Sequence, residues 1–306
     1  MEFRNNEHLK SYLKKEAERL NISPAAAQST FFCRLLLSRV AGSNYGTYLV
    51  KGSFSQFVHL KKLTRPVLDI DLTSYKEEDA IEQLYSAIYE QNNPKVVYDV
   101  TSEPKITQNG VYKIPVKVEV KVNPTDKPFL HDINIDFKKN NPIIFETQYK
   151  CVEPIFEGDT PFYINTPSYE EHLAEKLYII LHNRKSDVLN TRVKDFYDIY
   201  KLHGGNYDSN KFAIYFQAML KMYGENLYNI DTRFLDKAFI RRHQELWERM
   251  SKKYEFTDKT VDLDEAVYYT RAVLNEQLQK TFDDGVQEEA KKLVRNLNNK
   301  DHYTNF

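Results

Sequence analysis

The residues best placed to do chemistry lie in two short stretches. In VLDIDLT, Asp69 and Asp71 sit two apart within an apolar run. A strand over this run puts both carboxylates on one face, with Leu68, Ile70 and Leu72 on the other. Two like charges at that separation favour a proton or a cation between them. A hard divalent ion such as Mg²⁺ accepts one or two carboxylates and completes its shell with water and phosphate oxygens. Taken alone, an Asp-x-Asp closing a strand on a solvated face is the commoner circumstance. The second stretch, HDINIDF, repeats the pattern with Asp132, Asn134 and Asp136 on one face. If the two strands are neighbours, Asp136 joins the pair, and three carboxylates can hold two metal ions for an in-line displacement at phosphorus. Asp132 and Glu119 fit that role less well and read as solvated edge residues.

Upstream, Lys-Gly-Ser at 51–53 falls where an apolar run, TYLV, gives way to a short helical pattern. A glycine there lets a phosphate approach the backbone, and the following helix start supplies free N–H groups. Ser53 can donate its hydroxyl to that phosphate or cap the helix. Such a turn is common; the Asp pair that follows within one short helix gives it weight.

These residues need a scaffold, and the chain can supply one. It has 306 residues, 41% of them apolar and 13% aromatic, which is a globular composition with a substantial core. Two helical stripes open it, over 7–20 and from Pro24, with Ser23 as N-cap. Short strands and helices alternate from Tyr48, followed by three strand-like runs: KVVYDVT, VYKIPVKVEVKV and HDINIDF. After about 165 the pattern is helical, over 168–184, 191–203, 208–223, 232–254 and 262–280, and the tail after about 297 reads as loose. The expectation is an α+β chain: residues 1–165 form a mixed sheet with flanking helices, and 166–306 a helical bundle that completes the site.

Several function classes fall away. A net charge of −1 gives no global basic field, so a nucleic-acid partner has to be held by a local patch. Cys33 and Cys151 have no disulfide-framework or zinc spacing, and the eight histidines show no ligand pattern. No apolar run approaches a membrane span, and the charged N-terminus is not a secretory signal, so a reducing cytoplasm is expected.

The helical half carries a second candidate block, Ser168 to Leu202. On a helical wheel Leu173, Leu177, Ile180 and Leu181 form the buried stripe; Arg184 projects into it, Lys176 lies at its edge, and Glu171 and Glu175 fall towards the far side. Cations turned inward need an anionic target, and a nucleoside triphosphate would be one; snorkelling or local pairing is the ordinary alternative. In RVKDFYDIY, Asp195 lies at the edge of the apolar stripe while Asp198 points away, which reads as a structural residue paired with Lys201 or Lys194. Asp195 would orient Lys176, or would position or deprotonate an acceptor hydroxyl. Further on, DKAFIRRHQELWERMSKKY is basic and aromatic, either a contact for an RNA backbone or a solvated helix face.

The order of these features resembles the polymerase-beta-like nucleotidyltransferases, and within them the AbiEii/AbiGii toxin family. The resemblance rests on LVKGSFSQFVHL…LTRPVLDIDL, on the later Asp136, and on SYEEHLAEKLYIILHNRKSDVLNTRVKDFYDIYKL. Arg65 stands at the family's Arg position before Asp-Ile-Asp-Leu, and Ser53 stands where a second glycine is frequent. The resemblance implies a metal-dependent nucleotidyltransferase, with Asp69, Asp71 and Asp136 holding Mg²⁺ or Mn²⁺. Gly52, Ser53, Arg65, Lys176 and Arg184 would bind the NTP, and Lys176 and Asp195 would take part in catalysis. It further implies the toxin of a bacterial type IV toxin–antitoxin pair linked to abortive phage infection. A cognate antitoxin would be encoded in the same operon without forming a tight complex. Some relatives modify the 3′ end of tRNA, which makes tRNA the leading acceptor. The rivals are the same fold acting on a protein or small-molecule hydroxyl, and a non-catalytic nucleotide-binding module.

Overall fold

The computed structural model describes residues 3–43, 48–74, 79–90, 95–139, 145–182, 191–225 and 230–303. The chain divides into two compact units, Met1–Asn141 with Thr147–Thr166, and Pro142–Glu146 with Pro167–Phe306.

The first unit begins with helices α1 (Asn6–Leu20) and α2 (Pro24–Gly42). Ser23 caps α2 by accepting a hydrogen bond from Ala26 N at 3.1 Å, with Pro24 in the first turn where its missing N–H costs nothing. Then come β1 (Tyr48–Val50), α3 (Gly52–Leu60), β2 (Asp69–Ser74), α4 (Ala80–Tyr89), β3 (Val96–Val100), β4 (Lys105–Ile106), β5 (Val111–Val120), β6 (Phe129–Lys139), β7 (Thr147–Val152) and β8 (Phe162–Pro167). They form an eight-stranded mixed sheet in the order β3-β5-β6-β2-β1-β8-β7, with β4 paired to β5. β2 runs parallel to β6 and antiparallel to β1, and β1 runs parallel to β8.

Strand alternation splits this sheet into two chemically distinct faces. Ile70, Leu72, Ile114, Val116, Ile133, Ile135 and Phe137 are buried in one core cluster with Phe31, Phe32, Leu36 and Leu37 of α2. α2 is apolar almost all round because it packs on both α1 and the sheet. Burial pushes the Cys33 thiol of this core far up, with Asp69 and Asp71 adding to the effect, so it stays protonated. A buried ion pair, Arg34 Nε to Asp159 at 3.0 Å, ties α2 to the segment before β8.

The second unit holds α5 (Tyr169–His182), a 3₁₀ turn (Thr191–Val193), α6 (Lys194–His203), α7 (Ser209–Met222), α8 (Lys237–Lys253), α9 (Leu263–Lys280) and α10 (Asp284–Tyr303). α5 packs on α6 and α7, α9 on α6, α7 and α8, and α10 on α7. The single helix expected over 232–254 is instead a 3₁₀ turn at Thr232–Phe234 and then α8, because Asp231 and Asp236 each accept a backbone N–H and start a new element. The tail expected to be loose after about 297 is helical to Tyr303. Asp283 starts α10 by accepting from Gly285 N and Val286 N, and Val286 and Ala290 bury one face. No helix among the described residues is long and apolar enough to cross a membrane.

Candidate functional site

The polar face of the sheet gathers three of the candidate carboxylates. β2 and β6 are in parallel register with Asp69 opposite Asn134 and Asp71 opposite Asp136. The two Asp-bearing strands are therefore direct neighbours, with Asp69, Asp71 and Asp136 on one face. β5 flanks β6 on its other side and places Lys113 opposite Asp136. Lys113 Nζ donates to both carboxylate oxygens of Asp136, at 3.1 and 2.9 Å. That bond raises the Lys113 pKa, and the charges of Asp136, Asp69 and Asp71 raise it further. Lys113 was absent from the expected site. Its signal lay in VYKIPVKVEVKV, whose alternation puts Lys113 and Lys117 on the face away from the core.

Gly52 meets the Asp pair directly. Lys51 N donates to Asp71 O at 2.9 Å, which draws the start of α3 against β2. Gly52 has φ +61°, and a Cβ built on it would lie 1.7 Å from Asp71 Oδ2. The group that approaches this backbone most closely is thus the carboxylate itself, and only glycine leaves room for it. No side chain caps α3 at Lys51. Ser53 is buried, and its Oγ has no hydrogen-bond partner among the described residues. It does not act as the cap. An orphaned hydroxyl beside an uncapped helix start and a carboxylate pair has the donor and acceptor types that a metal-bound phosphate chain needs.

Among the described residues no group of three or more His, Cys, Asp or Glu side chains is placed to hold a metal ion. Asp69 and Asp71 fit a cation that takes the rest of its shell from water and phosphate, whereas Asp136 is engaged by Lys113. Arg65 is buried in the bend before β2, and the neighbouring Thr64 accepts from Gln56 Nε2 at 3.1 Å.

The second unit contains Lys176, Asp195 and a residue expected elsewhere. Lys176 Nζ donates to Asp198 Oδ2 at 2.7 Å and to Asp195 Oδ1 at 3.3 Å, with both carboxylates fully buried. Arg192 Nε reaches Asp195 Oδ2 at 2.6 Å. Burial pushes Asp195 up, but Lys176 and Arg192 outweigh it and hold its carboxyl below the usual range. Asp198 therefore does not point away: it is the shorter partner of Lys176, while Lys201 pairs with Asp258 at 2.5 Å. Glu171 is likewise buried, accepting from Phe145 N and Glu146 N at 3.0 Å each. Arg184 lies outside the described residues.

Comparison with known proteins gives these features a family. A search of curated proteins finds no match. Among solved structures the chain is similar to MenT4, a nucleotidyltransferase toxin from Mycobacterium tuberculosis H37Rv. The TM-score is 0.62 at 15% identity, over 94% of this chain and 98% of that one. That likeness is one of fold. JHP933 from Helicobacter pylori aligns over 92% of this chain and 97% of its own at 13% identity, with a TM-score of 0.40, too low to carry an argument. The model of the family described as nucleotidyl transferase AbiEii toxin, type IV TA system, matches residues 35–288. That span runs from α2 through the Gly52 turn, the Asp pair and the Lys176 cluster into α10, and the chain belongs to the AbiEii nucleotidyltransferase toxin family.

Proposed function

We propose that this chain transfers a nucleoside monophosphate from an NTP to an acceptor hydroxyl, the acceptor being the 3′ end of a tRNA. The acceptor hydroxyl loses its proton to water as its oxygen bonds to the α-phosphorus, the bond from that phosphorus to the bridging oxygen breaks, and pyrophosphate leaves. The observation that carries this reading is the apposition of Gly52 and Asp71 beside the unpartnered Ser53 Oγ. These bring a close-approach backbone, a carboxylate of the neighbouring strand and a spare hydroxyl donor together at the start of one helix.

In this reading Asp69 and Asp71 hold Mg²⁺ or Mn²⁺, with Asp136 as the third candidate ligand. The cation, when bound, neutralises phosphate charge and polarises the reacting phosphoryl group. Ser53 donates its hydroxyl to a phosphate oxygen, and the first N–H groups of α3 add to it. Arg65 contributes positive charge to the nucleotide, and the same role is proposed for Lys176 and Arg184. Asp136, steadied by Lys113, orients the acceptor hydroxyl. Asp195 and Lys176 are kept as contributors to the reaction. Catalysis of this kind is mostly positioning and electrostatic stabilisation.

An RNA acceptor is favoured by the lysines on the carboxylate face. Lys105 and Lys113 are register partners beside Asp136, and Lys138 lies two residues beyond Asp136 on the same strand face. Lys117 adds less, because Asp99 and Asp132 flank it. The biological setting that follows is the toxin of a type IV toxin–antitoxin pair in bacterial phage defence. Its antitoxin would be encoded alongside and would not bind it tightly.

The test is to incubate the protein with Mg²⁺, each labelled NTP in turn, and total cellular RNA. Label in RNA that vanishes with Asp69→Ala and Asp71→Ala supports the reading. Label in protein or a small molecule instead would move the acceptor, and nucleotide binding without any transfer would leave only a binding module.

A further inference from the structure

The far edge of the same sheet carries a feature that the reaction above does not use. Tyr149 on β7 and Tyr163 on β8 stack with ring centroids 5.0 Å apart and planes 18° apart. Their exposures are 68% and 51%, and among the described residues this is the one stacked pair with both rings exposed. Each leaves a wide π surface open to solvent, although burying an aromatic ring is strongly favourable. β7 is also the last strand of the sheet.

Three further observations give the pair a direction and a depth. Leu49 is register partner both to Thr73 of β2 and to Asn165 of β8, so Tyr163, Asn165, Asp69 and Asp71 share one face of the sheet. Tyr163 lies two strands across and four residues along from Asp71, which amounts to roughly 16 Å from ordinary strand spacing and rise. That is the span of a few nucleotides. The tyrosines also border a cavity of about 180 Å³ whose Leu37, Val40 and Tyr48 walls belong to the core side of the sheet, so the edge is loosely packed beneath them. Tyr48 is itself buried, and its hydroxyl has no hydrogen-bond partner among the described residues. Finally, α3 packs on β7 and brings Lys61 within electrostatic reach of Cys151, while Lys62 and Lys150 are exposed nearby and Glu153 opposes them at the end of the strand. Aromatic faces interleaved with lysines suit an unpaired nucleic-acid strand: the rings take bases of any sequence and the cations take phosphates.

We propose that Tyr149 and Tyr163 form a stacking subsite for an unpaired base of the RNA acceptor. The proposal rests on the RNA-acceptor reading above. The strand would run along the polar face, its terminal hydroxyl at the carboxylates and a base a few nucleotides upstream on the tyrosines. Stacking tolerates any base, so the subsite sets acceptor shape, a free single-stranded end, more than acceptor sequence.

The test measures binding of a fluorescently labelled, unstructured oligoribonucleotide by anisotropy, in parallel with label transfer from NTP. Wild type, Y149A/Y163A, Y149F/Y163F and D69A proteins are compared. Y149A/Y163A should weaken RNA binding by roughly ten- to a hundredfold, as expected for lost base stacking. Y149F/Y163F should stay near wild type, and D69A should keep RNA binding while losing transfer. If wild type binds no RNA, or Y149A/Y163A binds as well as wild type, the subsite does not exist. If the alanine protein loses a protein partner but no RNA affinity, the edge is a protein interface and the proposal fails. Tyrosine-dependent RNA binding with no transfer by wild type would sustain the subsite and remove the transferase reading.

Discussion

The two acidic groups of this chain are built from the same residue types and solve the problem of charge in opposite ways. On the sheet of the first unit, Asp69 and Asp71 share a face and are partly open to solvent, and Asp136 beside them has a lysine bound to both oxygens. In the second unit Asp195 and Asp198 are sealed from solvent; Lys176 reaches both and Arg192 reaches Asp195. A buried carboxylate survives only when paired, because desolvation is expensive. A partly exposed pair can stay under-compensated, since water bears part of the cost until a ligand arrives. The first group therefore lies open to solvent, and the second carries its cations with it.

That contrast can be broken by mutation, beginning with the largest expected effect on stability. Lys176→Met removes the cation that reaches both buried carboxylates and should cost about 3–5 kcal/mol, measured by urea unfolding. Replacing Lys176, Asp195 and Asp198 together with apolar residues should recover most of that loss, because no uncompensated charge remains. If the single variant is as stable as wild type, the cluster is not self-contained. Gly52→Ala should cost about 1–3 kcal/mol, since alanine must adopt a left-handed φ and push the Asp71 carboxylate aside. It should also abolish transfer of label, whereas a fully active alanine protein would refute the close approach.

Acid should act on the second unit in a defined direction. Asp195 sits below the usual carboxylate range, and Asp258, bonded first by Lys201 and then by Thr260, is lowered to about 2. A lowered carboxyl contributes stability that is present above about pH 4, where the unfolded group is ionised, and is lost as pH falls through the lower folded value. Trp247, buried in α8, is the only tryptophan and reports on this unit. Its fluorescence should hold to below pH 4 and then change, and Asp195→Asn should change that acid transition. The smallest effect belongs to the first group. Asp69→Asn and Asp71→Asn should shift stability by no more than about 0.5 kcal/mol, because removing one of two repelling charges relieves strain, while transfer of label is lost.

Much of this was legible because local rules and tertiary context agreed. The Ser23 cap, the alternation of β2 and β6 and the glycine at 52 each depend on a few neighbouring residues. Legibility failed where an element is surrounded. Almost every residue of α5 and the middle of α6 is buried, so a one-stripe wheel put Glu171 and Asp198 outward although both face protein. β7 and β8 escaped notice for the reverse reason: their exposed tyrosines, lysine and threonine break the apolar alternation expected of a strand. Lys113 was visible as an outward-facing residue, but its pairing required knowing that β5 lies beside β6.

The short passage Pro142–Glu146 belongs with the helices although sheet strands precede and follow it in the chain. Ser168 N donates to Glu146 O, Glu171 holds the amides of Phe145 and Glu146, and Tyr215 stacks on Phe145 and hydrogen-bonds Glu146. The helical part is consequently not a suffix that can be cut away at a single peptide bond. A fragment starting after residue 165 would leave a buried carboxylate and an aromatic ring without their counterparts and should be recovered as insoluble protein. One starting at Pro142 carries its own fastening, and supplying the missing passage as a separate peptide should rescue the shorter fragment.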